Sequence, residues 1–111
     1  MPEPRRGDVW LADLEPTAGP GLRRPVLVVS DDRLNRGRAE VVLAVPLTTR
    51  DRGIPTHIPL TPPEGGVRAT SYAMCEHIRS ISRTRLVERW GAAGPKAMTA
   101  AEDVLRALLA L

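Results

Sequence analysis

Three observations on the sequence predict an α+β fold or a small β-barrel with appended helices. Short apolar, β-branched-rich segments come first, helical patterns come last, and strands and helices do not alternate along the chain. A chain of 111 residues is long enough for one hydrophobic core but not for two. We therefore predict a single domain over residues 1–111, with a flexible tail at residues 1–5, rather than a doubly wound sheet.

The composition is that of an ordinary globular chain that favours an anionic partner. Hydrophobic residues make up 42% of the chain and charged residues 26%, which argues against disorder. The formal net charge is +3, and 15 of the 16 basic residues are arginines, whose guanidinium groups bind phosphate in bidentate geometry. The three aromatic residues, Trp10, Tyr72 and Trp90, are too few for an extended platform on which bases stack.

The sequence also predicts a cytoplasmic protein. No apolar run approaches the roughly 18 residues of a membrane span, and the first residues lack the apolar core of a signal peptide. The single cysteine, Cys75, cannot form an internal disulfide, which agrees with a reducing compartment.

Two apolar segments in the first half of the chain predict buried strands that end at polar side chains. The run Val26–Val29 is typical of a strand buried on both faces, and Pro25 favours an extended conformation for Arg24 directly before it. The second run ends at Pro46, which cannot donate to a ladder, so this strand is predicted to lie at an edge or to lose its pairing there. Thr48 then emerges from the core at a strand end, as Arg24 does.

Shorter elements complete the predicted fold. Their patterns predict strands at 9–14, 56–60 and 71–78, and the Gly- and Pro-rich segments predict loops at 15–22 and 61–66. A short helix is expected over 83–90, capped by Ser82 and ended by Gly91. A capping-box pattern at Thr99 predicts that the last helix begins there and runs to about Ala110. Since this helix is apolar nearly all round, we expect it to pack on the sheet and on a partner.

The sequence excludes several kinds of active site. One cysteine and two widely separated histidines give no zinc pattern, and the chain has neither a Gly-rich phosphate loop nor a Gly-x-Ser-x-Gly turn. What remains is Arg24 and Thr48 at strand ends, together with the segment from Glu76 to Arg79. This set has no obvious protein nucleophile. RNA does not require one, because its own 2′-OH can attack the neighbouring phosphate while preorganised donors stabilise the developing charge.

Six motifs, in order and in register, resemble the MazF/PemK toxin family from about residue 5 to the final helix. They are Arg6-Gly7-Asp8-Val9-Trp10, Asp13-Leu14-Glu15-Pro16-Thr17-Ala18-Gly19, Arg24-Pro25-Val26-Leu27-Val28-Val29, Val45-Pro46-Leu47-Thr48, Pro55-Thr56-His57 and Ile78-Arg79-Ser80-Ile81. The resemblance implies a homodimer whose fold is a small SH3-like twisted antiparallel β-barrel with a C-terminal α-helix, as in the CcdB and PemK toxins.

The same resemblance implies an activity. It is that of a type II toxin, an endoribonuclease that cuts single-stranded RNA such as mRNA at a short motif and so arrests translation and growth. Cleavage requires neither a ribosome nor a metal ion or other cofactor, and it leaves a 2′,3′-cyclic phosphate. A cognate antitoxin protein neutralises the toxin.

Residue roles follow from the positions that match the family. Arg24 and Thr48 match its catalytic arginine and threonine, and Glu76 stands where some members place an acidic residue proposed as the general base. RNA contacts are expected from five further residues: Ser71, His77, Arg79, Arg50 and Arg52.

Physical chemistry limits these roles. Because a guanidinium is not expected to lose its proton, Arg24 is assigned to stabilise the phosphorane, and the Thr48 hydroxyl serves as a donor or a relay. The base remains open among Glu76, His57 and His77, since histidine side chains exchange protons readily near neutral pH.

The chain also departs from the family pattern. The loop from Thr17 to Arg23 is shorter than in typical members, and Pro20 and Met74 replace a histidine and an arginine that act in one branch. Two alternatives therefore stay open: a non-enzymatic toxin of the same fold that inhibits DNA gyrase, and a catalytically weak regulator that binds RNA or antitoxin.

Overall fold

The computed structural model describes residues 3–14 and 22–111, which form seven strands and two α-helices. The elements are β1 (Asp8–Asp13), β2 (Arg23–Val28), α1 (Asp32–Asn35), β3 (Val41–Thr48), β4 (His57–Leu60), β5 (Ser71–Met74), β6 (Arg79–Ser82), β7 (Leu86–Ala92) and α2 (Pro95–Leu109). The strand order is β4-β5-β3-β2-β1-β7, β6 also pairs with β3, and every pairing is antiparallel. The predicted small antiparallel β-fold with a C-terminal helix is confirmed.

The central strands are buried on both faces, as the run Val26–Val29 predicts. Alternate side chains of β2 enter two separate clusters, with Leu27 in one and Val26 in the other. The first cluster is covered by α2 through Ala97 and Ala101. Because each face has its own core, the register of these strands is strongly specified.

Strand β3 changes its lateral partner near Pro46. Its pairing with β6 ends at Ala44, and its pairing with β5 begins at Leu47. Pro46 therefore lies between the two ladders, where a missing N–H interrupts neither. The predicted loss of pairing is confirmed on one side only, because Pro46 still pairs with Val26 of β2, and the predicted edge position is wrong, because β3 is a central strand.

The predicted helix over 83–90 is wrong. Residues Arg83–Arg85 form one 3₁₀ turn, and Leu86–Ala92 form β7, which pairs with β1. The apolar residues Leu86 and Trp90 stand four apart, a spacing that suits a helix. Residues Leu86–Ala92 nevertheless form a strand, because they pair with the edge of β1, whose backbone groups would otherwise lack partners.

The strand predicted over 71–78 is shorter than expected, because β5 ends at Met74. The next three residues, Cys75–His77, form a 3₁₀ turn that carries Glu76. This turn separates β5 from β6, so Glu76 and His77 project from a turn instead of a sheet surface.

The last helix begins one turn earlier than the capping-box pattern predicts. Gly94 is its N-cap and Pro95 occupies its first turn. Backbone N–H groups in the first turn have no partner within the helix, so a proline there costs no hydrogen bond. Packing of α2 on the sheet is confirmed, whereas the expected partner contact stays a prediction. Leu108, Leu109 and Leu111 are exposed at its end. No helix in residues 3–14 and 22–111 is both long and apolar enough to cross a membrane.

The described part of the predicted tail is anchored. Pro4 is buried, and the Arg5 backbone N–H donates to the Asp8 carboxylate at 2.9 Å. The Arg6 guanidinium donates to the Val29 carbonyl and to Glu102 of α2. The loop predicted at 15–22, with Pro20 and most of the shortened segment 17–23, lies outside the described residues apart from its end at 22–23.

Replacement of Gly66 by alanine is expected to destabilise the fold more than the same change at Gly53. Both glycines have positive φ, 73° and 62°, where an L-residue costs about 1–2 kcal/mol. A Cβ at Gly66 would also lie 2.2 Å from the Trp90 carbonyl oxygen, whereas at Gly53 it meets no atom within 4 Å. Urea unfolding of Gly66→Ala and Gly53→Ala measures the difference. Equal losses would contradict the close packing of this turn on β7.

Candidate active site

Arg24 and Thr48 face one another across the β2–β3 pair. The antiparallel register pairs Val26 with Pro46, and its continuation by two residues places Arg24 opposite Thr48. Opposite residues on antiparallel strands project to the same face of the sheet. Both side chains line a cleft of about 260 Å³ together with Ser71, the first residue of β5. We call this the Arg24–Thr48 cleft.

A second cleft of about 340 Å³ adjoins the first at Arg24. Four further predicted site residues line it: Arg52, Glu76, His77 and Arg79. Arg50 is the predicted site residue that lines neither cleft in the described structure. It is exposed, and its backbone N–H donates to the Thr48 hydroxyl at 3.2 Å. The fold thus gathers residues from β2, β3, β5 and β6, from the β3–β4 loop and from the turn after β5.

Glu76 is the centre of a hydrogen-bond network in the second cleft, which we call the Glu76 cleft. Its Oε1 accepts the Thr56 hydroxyl at 2.6 Å, and its Oε2 lies 2.7 Å from Nε2 of His57. Nε2 of His77 lies 3.7 Å from the same oxygen. A proton on His57 Nε2 would be donated to the carboxylate and would leave Nδ1 unprotonated. This buried Nδ1 has no hydrogen-bond partner among the described residues.

This environment keeps Glu76 ionised. Burial disfavours the charged form, but hydrogen bonds from Thr56 and His57 outweigh it and lower the pKa of Glu76 from 4.5 to about 2. A carboxylate with so little affinity for protons is a weak base at neutral pH. Burial raises the pKa of the neighbouring Cys75 thiol to about 11, so this cysteine stays protonated and is a poor nucleophile.

Cations outnumber carboxylates around the two clefts. Within residues 3–14 and 22–111, Arg24, Arg52 and Arg79 form no ion pair. Glu76, by contrast, is engaged with two histidines. These three guanidinium groups, together with that of Arg23 in the Arg24–Thr48 cleft, suit a substrate with repeated phosphates.

The sequence left His57 open as a general base beside Glu76 and His77, and it assigned no role to Thr56. His57 is 9% exposed and lies on β4, so a structural role is consistent with its burial. The structure nevertheless joins both residues to Glu76 and places His57 in the wall of the Glu76 cleft. The adjacent residues Thr56 and His57 were the only sequence signal for this network. They lie beside Glu76 because His57 of β4 pairs with Met74 at the end of β5.

The described residues contain no group of three or more His, Cys, Asp or Glu side chains that could hold a metal ion. The expectation that cleavage needs no metal stays a prediction.

Replacement of Glu76 by glutamine is expected to cost most stability at neutral pH and less in acid. The folded-state pKa lies below the ordinary value, so the carboxylate stabilises the fold fully above about pH 4.5 and loses this contribution as the pH falls toward 2. Urea unfolding of Glu76→Gln and the parent between pH 7 and 2.5 measures the difference.

Asp31 is the matched control, because hydrogen bonds from Arg33 lower its pKa to about 2 as well. Asp31→Asn should remove only a small share of the acid dependence, because solvent screens the exposed pair with Arg33, and the effects of the two variants on the free energy of unfolding should add. A stability difference between Glu76→Gln and the parent that is as large at pH 2.5 as at pH 7 would contradict the ionised network.

Comparisons with known proteins give the family. Residues 5–109 match the family described as PemK-like, MazF-like toxins of type II toxin–antitoxin systems. The endoribonuclease EndoA of Bacillus subtilis is 33% identical over 110 residues, which cover 96% of this chain and 95% of the relative. The endoribonuclease MazF of Staphylococcus saprophyticus is 36% identical over 89 residues, covering 77% of this chain and 73% of the relative.

Solved structures agree with this assignment. A MazE–MazF structure from Deinococcus radiodurans superposes with a TM-score of 0.85 at 29% identity and covers 100% of this chain and 99% of that chain. A mycobacterial endoribonuclease in complex with its cognate antitoxin superposes with a TM-score of 0.80 at 31% identity, covering 100% of this chain and 97% of that chain. The chain therefore belongs to the PemK-like, MazF-like toxins of type II toxin–antitoxin systems.

Proposed function

We propose that this toxin endoribonuclease cuts single-stranded RNA at a short motif, without a metal ion, through attack of the substrate's own 2′-OH on the adjacent phosphate. The observation that carries the proposal is the opposition of Arg24 and Thr48 at the ends of β2 and β3. The P–O5′ bond breaks as the new bond to O2′ forms, which leaves a 2′,3′-cyclic phosphate, and the leaving 5′ oxygen takes a proton from water to become a 5′-hydroxyl.

Arg24 and Thr48 stabilise the charge that develops on the phosphorane. The Arg24 guanidinium supplies a fixed positive charge and several N–H donors in a fork that fits phosphate oxygens. The Thr48 oxygen already accepts the Arg50 N–H at 3.2 Å, so the hydroxyl hydrogen remains to donate to the phosphate. Donors held in place before the reaction need no reorganisation during it.

Glu76 belongs to the catalytic set as part of a carboxylate–histidine pair. Its pKa of about 2 makes the carboxylate a weak proton acceptor by itself. His77 is the more accessible histidine beside it, with 60% of its side chain exposed in the same cleft. We assign the 2′-OH proton to the His77 imidazole and the stabilisation of the resulting imidazolium to Glu76.

The remaining basic and polar residues hold the RNA strand. Arg52 and Arg79 line the Glu76 cleft and Ser71 lines the Arg24–Thr48 cleft. Arg50 is exposed directly after Thr48. In this proposal the arginines contact phosphates, while His77 and Ser71 can also reach base edges or sugars.

The family assignment also supports a partner and a compartment. A cognate antitoxin neutralises the toxin, and solved structures of related MazE–MazF and toxin–antitoxin complexes support this partner. The active form is a cytoplasmic homodimer, and the exposed leucines at the end of α2 provide apolar surface for one of these contacts. Free toxin arrests translation and growth by cutting mRNA.

Two assays distinguish the proposed RNA cleavage from the two alternative functions. Gyrase inhibition and non-catalytic binding both leave the Arg24–Thr48 cleft without a chemical role. A gyrase supercoiling assay beside an RNase assay on the same preparation separates them. Inhibition of gyrase without any RNA cleavage would favour the first alternative, and RNA or antitoxin binding without cleavage would favour the second.

Replacement of Arg24 or Thr48 by alanine is expected to reduce kcat by about 10²-fold or more, because each removes a donor to the developing charge. Cleavage of a fluorescent single-stranded RNA measures kcat, and thermal unfolding checks the fold. Arg38→Ala and Thr99→Ala are matched controls, because both residues are exposed and lie outside the two clefts in the described structure. Full activity of Arg24→Ala or Thr48→Ala would contradict the proposed roles.

Removal of metal ions by EDTA is expected to leave the cleavage rate unchanged, whereas a 2′-deoxy sugar at the scissile nucleotide is expected to abolish cleavage. The first outcome follows from charge stabilisation by protein donors, and the second from the loss of the attacking hydroxyl. Both are read on one RNA whose cleavage site has been mapped by its 5′ end. Cleavage that depends on added Mg²⁺, or that persists at the deoxy position, would refute the mechanism.

A further inference from the structure

A third cleft of about 610 Å³ continues from the Arg24–Thr48 cleft onto β1 and β7. The two clefts share the wall residues Pro25, Thr49 and Ser71. Pro25 pairs with Leu11 of β1, and Leu11 pairs with Glu88 of β7. These three side chains therefore lie side by side across β2, β1 and β7, and all three line the third cleft.

Trp90 forms part of the wall of this cleft and is held firmly in place. Its backbone packs against the turn Glu64–Gly66, where both glycines have positive φ. A Cβ on Gly66 would lie 2.2 Å from the Trp90 carbonyl oxygen, and one on Gly91 would lie 2.9 Å from the Gly65 backbone. The indole is half-buried and packs against the larger core cluster. A fixed, partly exposed indole is suited to stacking, since little conformational entropy is lost when a flat ligand binds.

Charged groups flank the apolar wall. Arg68 is exposed and forms no ion pair within residues 3–14 and 22–111. Arg89 is oriented by the buried carboxylate of Asp8, 3.1 Å from its guanidinium. Glu88 is the carboxylate that lines the cleft, and it can accept a hydrogen bond from an exocyclic amino group.

An aromatic face, an apolar floor and guanidinium groups at the rim match the parts of one nucleotide. The base stacks on the indole and the phosphate lies near the arginines. A pocket of this size can enclose such a group. Neighbouring strands lie about 4.8 Å apart, so the three steps from β3 to β7 span about 14 Å across the sheet. Thr48 continues the row of Arg24 and Ala12, whereas Trp90 stands between the partners of Val9 and Trp10, so the path from Thr48 to Trp90 also runs about two to three residues along the strands. A short stretch of one RNA strand can follow this path past Pro25 and Thr49, which line both clefts.

We propose that the cleft lined by Trp90, Arg68 and Leu11 is a nucleotide subsite that binds one unpaired base of the RNA, away from the scissile bond. The inference rests on the proposed function, because it assigns a further part of the same substrate. RNA is the favoured occupant because the subsite is continuous with the Arg24–Thr48 cleft and carries arginines at its rim. Docking of an antitoxin segment is treated as an outcome of the test.

The test begins with a length series. An RNA with a mapped cleavage site is shortened one nucleotide at a time from each side, and kcat/KM is measured for each length. Occupation of the subsite is expected to appear as a step at one nucleotide position on one side, where kcat/KM changes about 5-fold or more. An abasic nucleotide at that position should lose the same factor, because the stacked base is missing.

Trp90→Ala is expected to erase the step, so that the ratio of kcat/KM between the longer and the shorter RNA falls toward one. The effects of the abasic nucleotide and of Trp90→Ala on kcat/KM should not add, since both changes remove the same stacking contact. Arg68→Ala should weaken binding of the longer RNA and reduce its dependence on salt. Val87→Ala is the matched control, because Val87 is exposed on the same strand and lies outside the three clefts in the described structure.

A second readout does not depend on cleavage. The longer RNA, with a 2′-deoxy sugar at the scissile position, should quench the fluorescence of the half-exposed Trp90, whereas Trp10 is only 3% exposed and should respond little. Quenching should be lost in Trp90→Ala and with the abasic RNA. Thermal unfolding confirms that each variant is folded, and Trp90→Phe, which retains a stacking ring, should recover part of the step if Trp90→Ala is destabilised.

The failures of the two proposals can be told apart. If the parent protein does not cut RNA, or cuts at a deoxy position, the proposed function fails. If the parent cuts as proposed but shows no step, or if Trp90→Ala and the abasic RNA act additively, only the subsite is overturned. Trp90→Ala that weakens antitoxin binding while it preserves the step and the quenching would assign the cleft to the antitoxin and overturn the RNA subsite.

Discussion

The register between β2 and β3 is the constraint on which the rest of the structure depends. The pairing of Val26 with Pro46 places Arg24 opposite Thr48 at the open end of the two strands. A slip by one residue would move every side chain of β2 to the other face, so that Val26 and Leu27 would exchange clusters and Arg24 would no longer project beside Thr48. The same apolar side chains that stabilise the fold therefore fix the positions of the two polar groups that the proposed chemistry uses.

A second arrangement follows from the change of partner along β3. The pairing of β3 with β6 ends at Ala44, and its pairing with β5 begins at Leu47. The chain that connects β5 to β6 must therefore turn beside this gap. The 3₁₀ turn Cys75–His77 makes that connection and points Glu76 and His77 into the cleft beside Arg24. Pro46 is tolerated in a central strand for the same reason, since its missing N–H faces the interval between the two ladders.

In the proposed mechanism, electrostatics divide the candidate site into a part that binds the anionic substrate and a part that transfers protons. The arginines of the clefts are available to a polyanionic substrate, whereas Glu76 is occupied by Thr56 and His57. A carboxylate kept charged inside a basic cleft orients the histidines and does not repel the substrate strongly, because its charge is shared in hydrogen bonds. The division favours a histidine for proton transfer and guanidinium groups for phosphate.

The sequence by itself determined the strands that have strong local signals, together with the positions of Arg24 and Thr48 at the ends of these strands. The run Val26–Val29, the break at Pro46, and Arg24 and Thr48 beside them could be predicted because burial and proline geometry act locally. Only the tertiary structure decided that 83–90 is a strand, since pairing with β1 overrides a helix-like spacing. It also decided that Thr56 and His57 join Glu76, and that Trp90 continues the cleft beyond Ser71, because these residues meet through pairings between segments distant in sequence.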